Sequence, residues 1–181
     1  MEHNPWKTLS SHQIYHTPWF SVREDRVLRP DGSPGTYSVV EAERLAVGVL
    51  PLWPDSTITL VGQFRYPIGE YSWEIPEGGG PLTGDPLPSA KQELKEETGI
   101  EARSWEYLGR VHTSNCFVSE VCHLYVATDL QQGTPCPGAD EQLITRRVAV
   151  GDAIAMAADG RITDGISIAG LFRLERYLRV V

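Results

Sequence analysis

The amino-acid sequence predicts an α/β fold: a mixed central sheet sandwiched between helices, with an antiparallel β extension at the N-terminus. Three observations lead there. Residues 71–99 read as a strand, a glycine-rich loop and a helix in immediate succession. Residues 45–66 hold two runs rich in aliphatic and β-branched side chains. Residues 163–179 carry apolar positions at helical spacing. Strands and helices in this order bury their apolar faces in layers. At 181 residues and 41% hydrophobic content, one structural unit with an ample core is expected, with an extension over 1–44 and a main domain over 45–181.

The extension comes first. Ile14 to Phe20 and Ser21 to Leu28 alternate apolar and polar residues, Pro30-Asp31-Gly32 is a turn signal, and Thr36 to Glu41 returns as a strand. Leu45 to Trp53 and Thr57 to Tyr66 then read as a hairpin about Pro54-Asp55-Ser56. Tyr71 to Ile75 forms a short strand that breaks at Pro76 into a loop over Gly78, Gly79 and Gly80. Asp85 and Pro86 are placed as N-cap and first helical residue, and Pro88 lies in the first turn, where a missing N–H costs little. The helix runs to Thr98 and stops at Gly99.

Beyond it, Ser104 to Thr113 and Val121 to Thr128 read as strands around a polar loop over 114–120. Gln131 to Gln142, rich in Pro, Gly and acidic residues, reads as a mobile loop before a last strand over 143–150. A short helix follows over 151–158. A longer one begins at Thr163-Asp164, with Ile168, Leu171, Phe172 and Leu178 as its packing stripe.

Chemistry concentrates on the helix after the glycines. Glu93 and Glu97 are four residues apart and stack on one face, with Glu96 beside them, while Leu87, Ala90 and Leu94 form a separate inward stripe. Like charges at this spacing destabilise a helix by roughly a few tenths of a kcal/mol per pair. Hard oxygen ligands beside a glycine loop suit Mg2+ or Mn2+ and the phosphates such ions bridge. The acidic string alone is equally compatible with a solvated face.

Gly78 followed by Gln92, Glu93, Leu94, Glu96, Glu97, Gly99 and Ile100 resembles the Nudix box, G-x5-E-x7-R-E-U-x-E-E-x-G-U, where U is a bulky aliphatic residue. The lead-in Trp73-Glu74-Ile75-Pro76 resembles the ADP-ribose and nucleoside-diphosphate-sugar pyrophosphatase branch of that superfamily. The resemblance implies an α/β/α sandwich that cleaves a nucleotide sugar with Mg2+ or Mn2+. It implies that Glu93, Glu97 and the backbone carbonyl of Glu77 hold metal, with Glu96 assisting. It places Arg65 on the substrate's phosphates, Glu74 at the pocket wall, and Trp19 and Phe20 as base-stacking candidates. Glu141 or Glu120 would accept a proton from the attacking water, with Asp140 the other acid of that loop. A homodimer built through the N-terminal sheet is also implied.

Two positions depart from the pattern: Gly84 stands where the box has its first glutamate, and Gln92 where it has arginine. Asp85 is the neighbouring carboxylate. Without those two groups, a weakened module that binds nucleotide sugars as a sensor or scaffold is the alternative.

A net charge of −8 argues against general nucleic-acid binding. No apolar run is long enough to span a membrane and the first residues lack a signal-peptide pattern, so a soluble cytoplasmic protein is expected. Cys116, Cys122 and Cys136 have no metal-site spacing and read as free thiols; His112 and His123 read as structural histidines.

Overall fold

A computed structural model describes residues 3–138 and 142–180. The chain divides into two compact units, Met1–Arg44 with His112–Glu120, and Leu45–Val111 with Val121–Val181.

The first unit is an antiparallel sheet of β1 (Lys7–His16), β2 (Phe20–Leu28) and β3 (Pro34–Ala42), in that order. Ile14 to Phe20 is therefore not one strand. The chain turns at Thr17-Pro18-Trp19, where Thr17 Oγ1 accepts from the N–H of Trp19 at 3.2 Å and of Phe20 at 3.0 Å. Pro18, lacking an N–H, suits that turn better than a ladder. The 112–120 segment joins β3 through Val40, whose N–H donates to Phe117 O at 2.8 Å and whose carbonyl accepts from Ser119 N at 3.0 Å.

Within this sheet Asp25 is buried, and the Ser11 hydroxyl and the Arg23 guanidinium hold its carboxyl below the usual range. A carboxylate whose pKa is depressed on folding adds stability above its unfolded pKa and loses it as pH falls through the folded one. Asp25→Asn is expected to lower the unfolding midpoint at pH 7 and to flatten its decline below the ordinary value of 3.8. Thermal scans across that range check this.

The second unit contains two sheets. The mixed sheet runs β7-β4-β9-β8, from β4 (Leu45–Pro51), β7 (Glu77–Gly80), β8 (Ile100–His112) and β9 (Val121–Gln132). In it β4 pairs parallel to β9 and antiparallel to β7. The other runs β10-β5-β6, from β5 (Thr57–Arg65), β6 (Glu70–Glu74) and β10 (Ile144–Ala149). The expected hairpin of β4 with β5 holds at its turn, where Trp53 N donates to Thr57 O at 2.8 Å and Leu52 bridges antiparallel to Ile58, but the two strands then part into different sheets. Every residue of β4 is buried. A strand covered on both faces needs neighbours on both edges, and β4 takes β7 and β9.

Around this sheet the core splits by strand periodicity. Leu45, Val47 and Val49 face Ala90 and Leu94 of α1 (Leu87–Thr98). Ala46 and Leu50 face the other way, with Leu171 and Leu174 of α3 (Gly165–Leu178) and Ala153 and Met156 of α2 (Val150–Ala158). Helices thus cover both faces. Among the described residues no helix is long and apolar enough to cross a membrane.

Three further expectations change. The glycine run is a strand, β7, not a loop. Helix α1 takes Pro86 as its N-cap, and Asp85 accepts the Leu87 N–H at 3.0 Å from just outside; at the other end Gly99 closes the helix at φ 72°. On α3 the covered residues are Ser167, Gly170, Leu171 and Leu174, with Ile168 packed beside them, while Phe172 and Leu178 are exposed. Asp164 caps α3, accepting from Ser167 N at 2.6 Å.

Candidate active site

Glu93 and Glu97 do share a face, and that face meets the backbone of β7. Glu97 Oε2 accepts from Glu77 N at 3.1 Å, and Glu93 Oε1 accepts from Gly79 N at 3.2 Å. The match is geometric: four helical residues rise about 6 Å, and two strand residues about 6.6 Å. A carboxylate pair at helical spacing therefore lies in register with alternate N–H groups of an edge strand. Gly78, between those donors, leaves the Glu93 carboxylate its place by being glycine. A Cβ there would stand 2.2 Å from Glu93 Cδ, so any side chain would displace the carboxylate.

Beside this seam is a charge cluster fed by four elements. Arg65, at the end of β5, forks onto the buried Glu74 of β6, with Nε at 2.9 Å from Oε1 and Nη2 at 2.5 Å from Oε2. Its Nη2 also reaches Glu77 Oε1 at 3.0 Å. Gln63 adds a long contact to Glu74 Oε2 at 3.4 Å. The bidentate geometry raises the Arg65 pKa, chiefly through the hydrogen bond to Glu74.

Glu77 is the anomaly. Its Oε2 is buried without a hydrogen-bond partner among the described residues. Burial first, then the charges of Asp164 and Glu74, push its carboxyl well above the ordinary range, against the pull of Arg65. Sequence reasoning valued Glu77 for its carbonyl and Asp164 only as a cap. The side chain of the first and the field of the second were missed, because nothing local in the sequence pairs residues this far apart.

The remaining predicted residues are distributed differently. Glu96 accepts from Gln92 Nε2 at 2.9 Å, so the residue in the arginine position holds a neighbouring box carboxylate without adding charge. Gly84 is exposed at φ 103° with open space around it. A glutamate there would be strained by its backbone, not by crowding. Trp19, Phe20 and Glu120 belong to the other unit; Trp19 is 67% exposed. Asp140 and Glu141 lie outside the described residues. His123 stacks on Tyr107 and meets its hydroxyl through Nδ1 at 3.0 Å, a structural contact.

The side-chain atoms that could ligate an ion along the seam are all carboxylate oxygens, which suits a hard divalent cation. Among the described residues, no three His, Cys, Asp or Glu side chains converge to hold one; Glu93 and Glu97 are turned onto backbone donors. Glu74, Glu77 and Asp164 outnumber the single Arg65 guanidinium beside the seam, and a bound cation would offset that surplus.

A family model described as the NUDIX domain matches residues 42–165, and one described as the nucleoside diphosphate sugar hydrolase N-terminal domain matches residues 6–40. An ADP-ribose pyrophosphatase of Mycobacterium tuberculosis is 31% identical over 97% of this chain and 86% of its own length. A methanol dehydrogenase activator of Bacillus methanolicus is 30% identical over 93% of this chain and 92% of its own. A crystal structure of an ADP compounds hydrolase superposes with a TM-score of 0.86, covering 99% of this chain and 97% of that one, at 19% identity, a likeness of fold. With the box residues seated against the strand before them, and a family model spanning most of the chain, the protein belongs to the Nudix family.

Proposed function

We propose that this protein hydrolyses the pyrophosphate bond of a nucleoside diphosphate sugar, of ADP-ribose or GDP-mannose type, to a nucleoside monophosphate and a sugar phosphate. The observation that carries the reading is the seating of Glu93 and Glu97 on alternate N–H groups of β7, beside a guanidinium. That fixes two carboxylates where a diphosphate and its counter-ion can be held together.

Glu93, Glu97 and the Glu77 carbonyl would hold Mg2+ or Mn2+, with Glu96 in support. A divalent cation there supplies charge neutralisation of the pyrophosphate and a water of lowered pKa. The protein's own groups orient and move protons. Arg65 remains 38% exposed while held by Glu74, so its outer edge can take a phosphate oxygen in the planar geometry guanidinium favours. Water adds across the bridging P–O bond. Its oxygen joins one phosphorus, the other phosphate leaves with the bridging oxygen, and the proton passes to Glu141 or Glu120. Trp19 and Phe20 are the proposed stacking surface for the base. A homodimer and a cytoplasmic setting complete the proposal.

A second reading is favoured by Gly84 and Gln92. One carboxylate and one cation of the box are absent, and Gly84 sits where its backbone resists a longer residue. That arrangement fits a weakened module that binds nucleotide sugars. One experiment separates the two. ADP-ribose, GDP-mannose, UDP-glucose and ATP are incubated with Mg2+ or Mn2+ and the products resolved by chromatography. Metal-dependent cleavage of a nucleotide sugar in preference to ATP is the expected result. No cleavage, with a nucleotide sugar raising the melting temperature, would establish the binding module instead.

A further inference from the structure

We propose that the Glu77 side chain, gripped by Arg65, is a positioning residue that fixes the Glu97 carboxylate through the Glu77 N–H. The inference rests on the reading that Glu97 serves the hydrolysis, and it concerns a side chain that the box pattern does not specify.

The strand that presents donors to the box carboxylates is Glu77-Gly78-Gly79-Gly80. It is an edge strand, paired only to β4, and three of its four residues are glycines, which have the largest backbone freedom to lose. A stiffer residue at Gly78 would push the Glu93 carboxylate from its place, because that carboxylate occupies the space a Cβ would take. So the strand carries almost no side chains where it meets the box carboxylates, and its one side chain is Glu77.

That side chain is anchored at both ends of its reach. Its Oε1 meets Arg65 Nη2 at 3.0 Å, and Arg65 is itself fixed by the two-point fork to Glu74, which is 2% exposed. Its backbone N–H meets Glu97 Oε2 at 3.1 Å. On the N-terminal side, the Pro76 carbonyl accepts from Val49 N at 2.8 Å, but Pro76 donates nothing. A continuous path therefore runs from the buried Glu74, through Arg65 and Glu77, to Glu97. Without the Glu77 side chain, the Pro76–Glu77 peptide that carries this N–H keeps the Val49 bond to its carbonyl and the β4 ladder beyond it, but loses the side-chain grip that sets its tilt. Glu97 then loses a fixed donor, although its own helix is undisturbed. Displacements of about 1 Å at a reacting group can cost on the order of a hundredfold in rate.

The test compares Glu77→Ala with Glu77→Gln, which keeps an oxygen for Arg65. Two readouts are taken: steady-state kinetics on the preferred nucleotide sugar with Mg2+, and amide hydrogen exchange without metal, corrected for intrinsic rates. In Glu77→Ala, kcat is expected to fall at least about tenfold with KM within about twofold. The residue-77 amide should exchange at least about tenfold faster, while amides of β9 stay as in the wild type. Glu77→Gln should restore both to within about threefold of wild type. A residue-77 amide as protected in Glu77→Ala as in the wild type would overturn the proposal, as would an unchanged kcat. Loosening spread through β9 would make the role merely structural and overturn it too. So would Glu77→Gln behaving like Glu77→Ala, since charge and not grip would then matter. If the wild-type protein cleaves nothing, the functional reading fails by itself and the exchange data alone decide the positioning claim.

Discussion

Glu97→Gln is expected to lower nucleotide-sugar hydrolysis at least about a hundredfold while leaving the fold in place. The substitution removes charge and little else. Glutamine keeps an oxygen that can accept the Glu77 N–H, now 3.1 Å from Glu97 Oε2, so the seam between α1 and β7 persists. Loss of one carboxylate from an i,i+4 pair relieves repulsion of about 0.2–0.5 kcal/mol, which acts in the stabilising direction. The variant should therefore unfold at a temperature close to that of the wild type while turning over far less substrate. Glu96→Gln is the control: Glu96 is held by Gln92 and, among the described residues, makes no bond to β7, so a smaller loss is expected. The pair of variants is compared by chromatographic product formation at saturating Mg2+ and by thermal melting. Near-native turnover in Glu97→Gln would remove Glu97 from the reaction and, with it, the proposed metal set.

How far the sequence reaches can be judged at particular residues. Helix α1 was legible because its signals are local: two prolines at the start, an apolar stripe at Leu87, Ala90 and Leu94, and Gly99 at the end. The Asp164 cap was legible for the same reason. Pairing was not. β4 is buried along its whole length and β5 from Ile58 to Gly62, and a strand covered on both faces carries no mark of which neighbour it takes. Gly78 to Gly80 looked like a loop because glycine has no side chain to alternate, although its backbone forms a regular ladder with β4. Of the predicted stripe on α3, Leu171 is buried as read, but Phe172 and Leu178 are exposed and Leu174 completes the covered face instead. At the candidate site, spacing told that Glu93 and Glu97 share a face but not what that face meets. The Arg65–Glu77 contact joins residues of different strands, and no local rule announces it.

Removing Arg65 should be the most destabilising single change at this site. Glu74 is 2% exposed, and its two oxygens both lie within reach of the same guanidinium. Deleting one partner of a buried pair leaves the other as an uncompensated charge, at a cost of about 3–5 kcal/mol. Arg65 is 38% exposed, so water can enter behind a truncated side chain and place the loss near the lower end, about 3 kcal/mol. Arg65→Ala also removes the pull that lowers the Glu77 carboxyl, leaving burial and then Asp164 to push it further upward. The urea midpoint should fall accordingly, and Arg65→Lys should recover part of the loss, because an ammonium keeps the charge but not the two-point fork. Arg65→Ala with Glu74→Gln should be more stable than Arg65→Ala alone, because the second change removes the stranded charge. If Arg65→Ala unfolds at the wild-type midpoint, the Glu74 carboxylate is not held by this pair. The path from Glu74 to Glu97 would then lose its first link, and Arg65 would be left with substrate binding as its whole role.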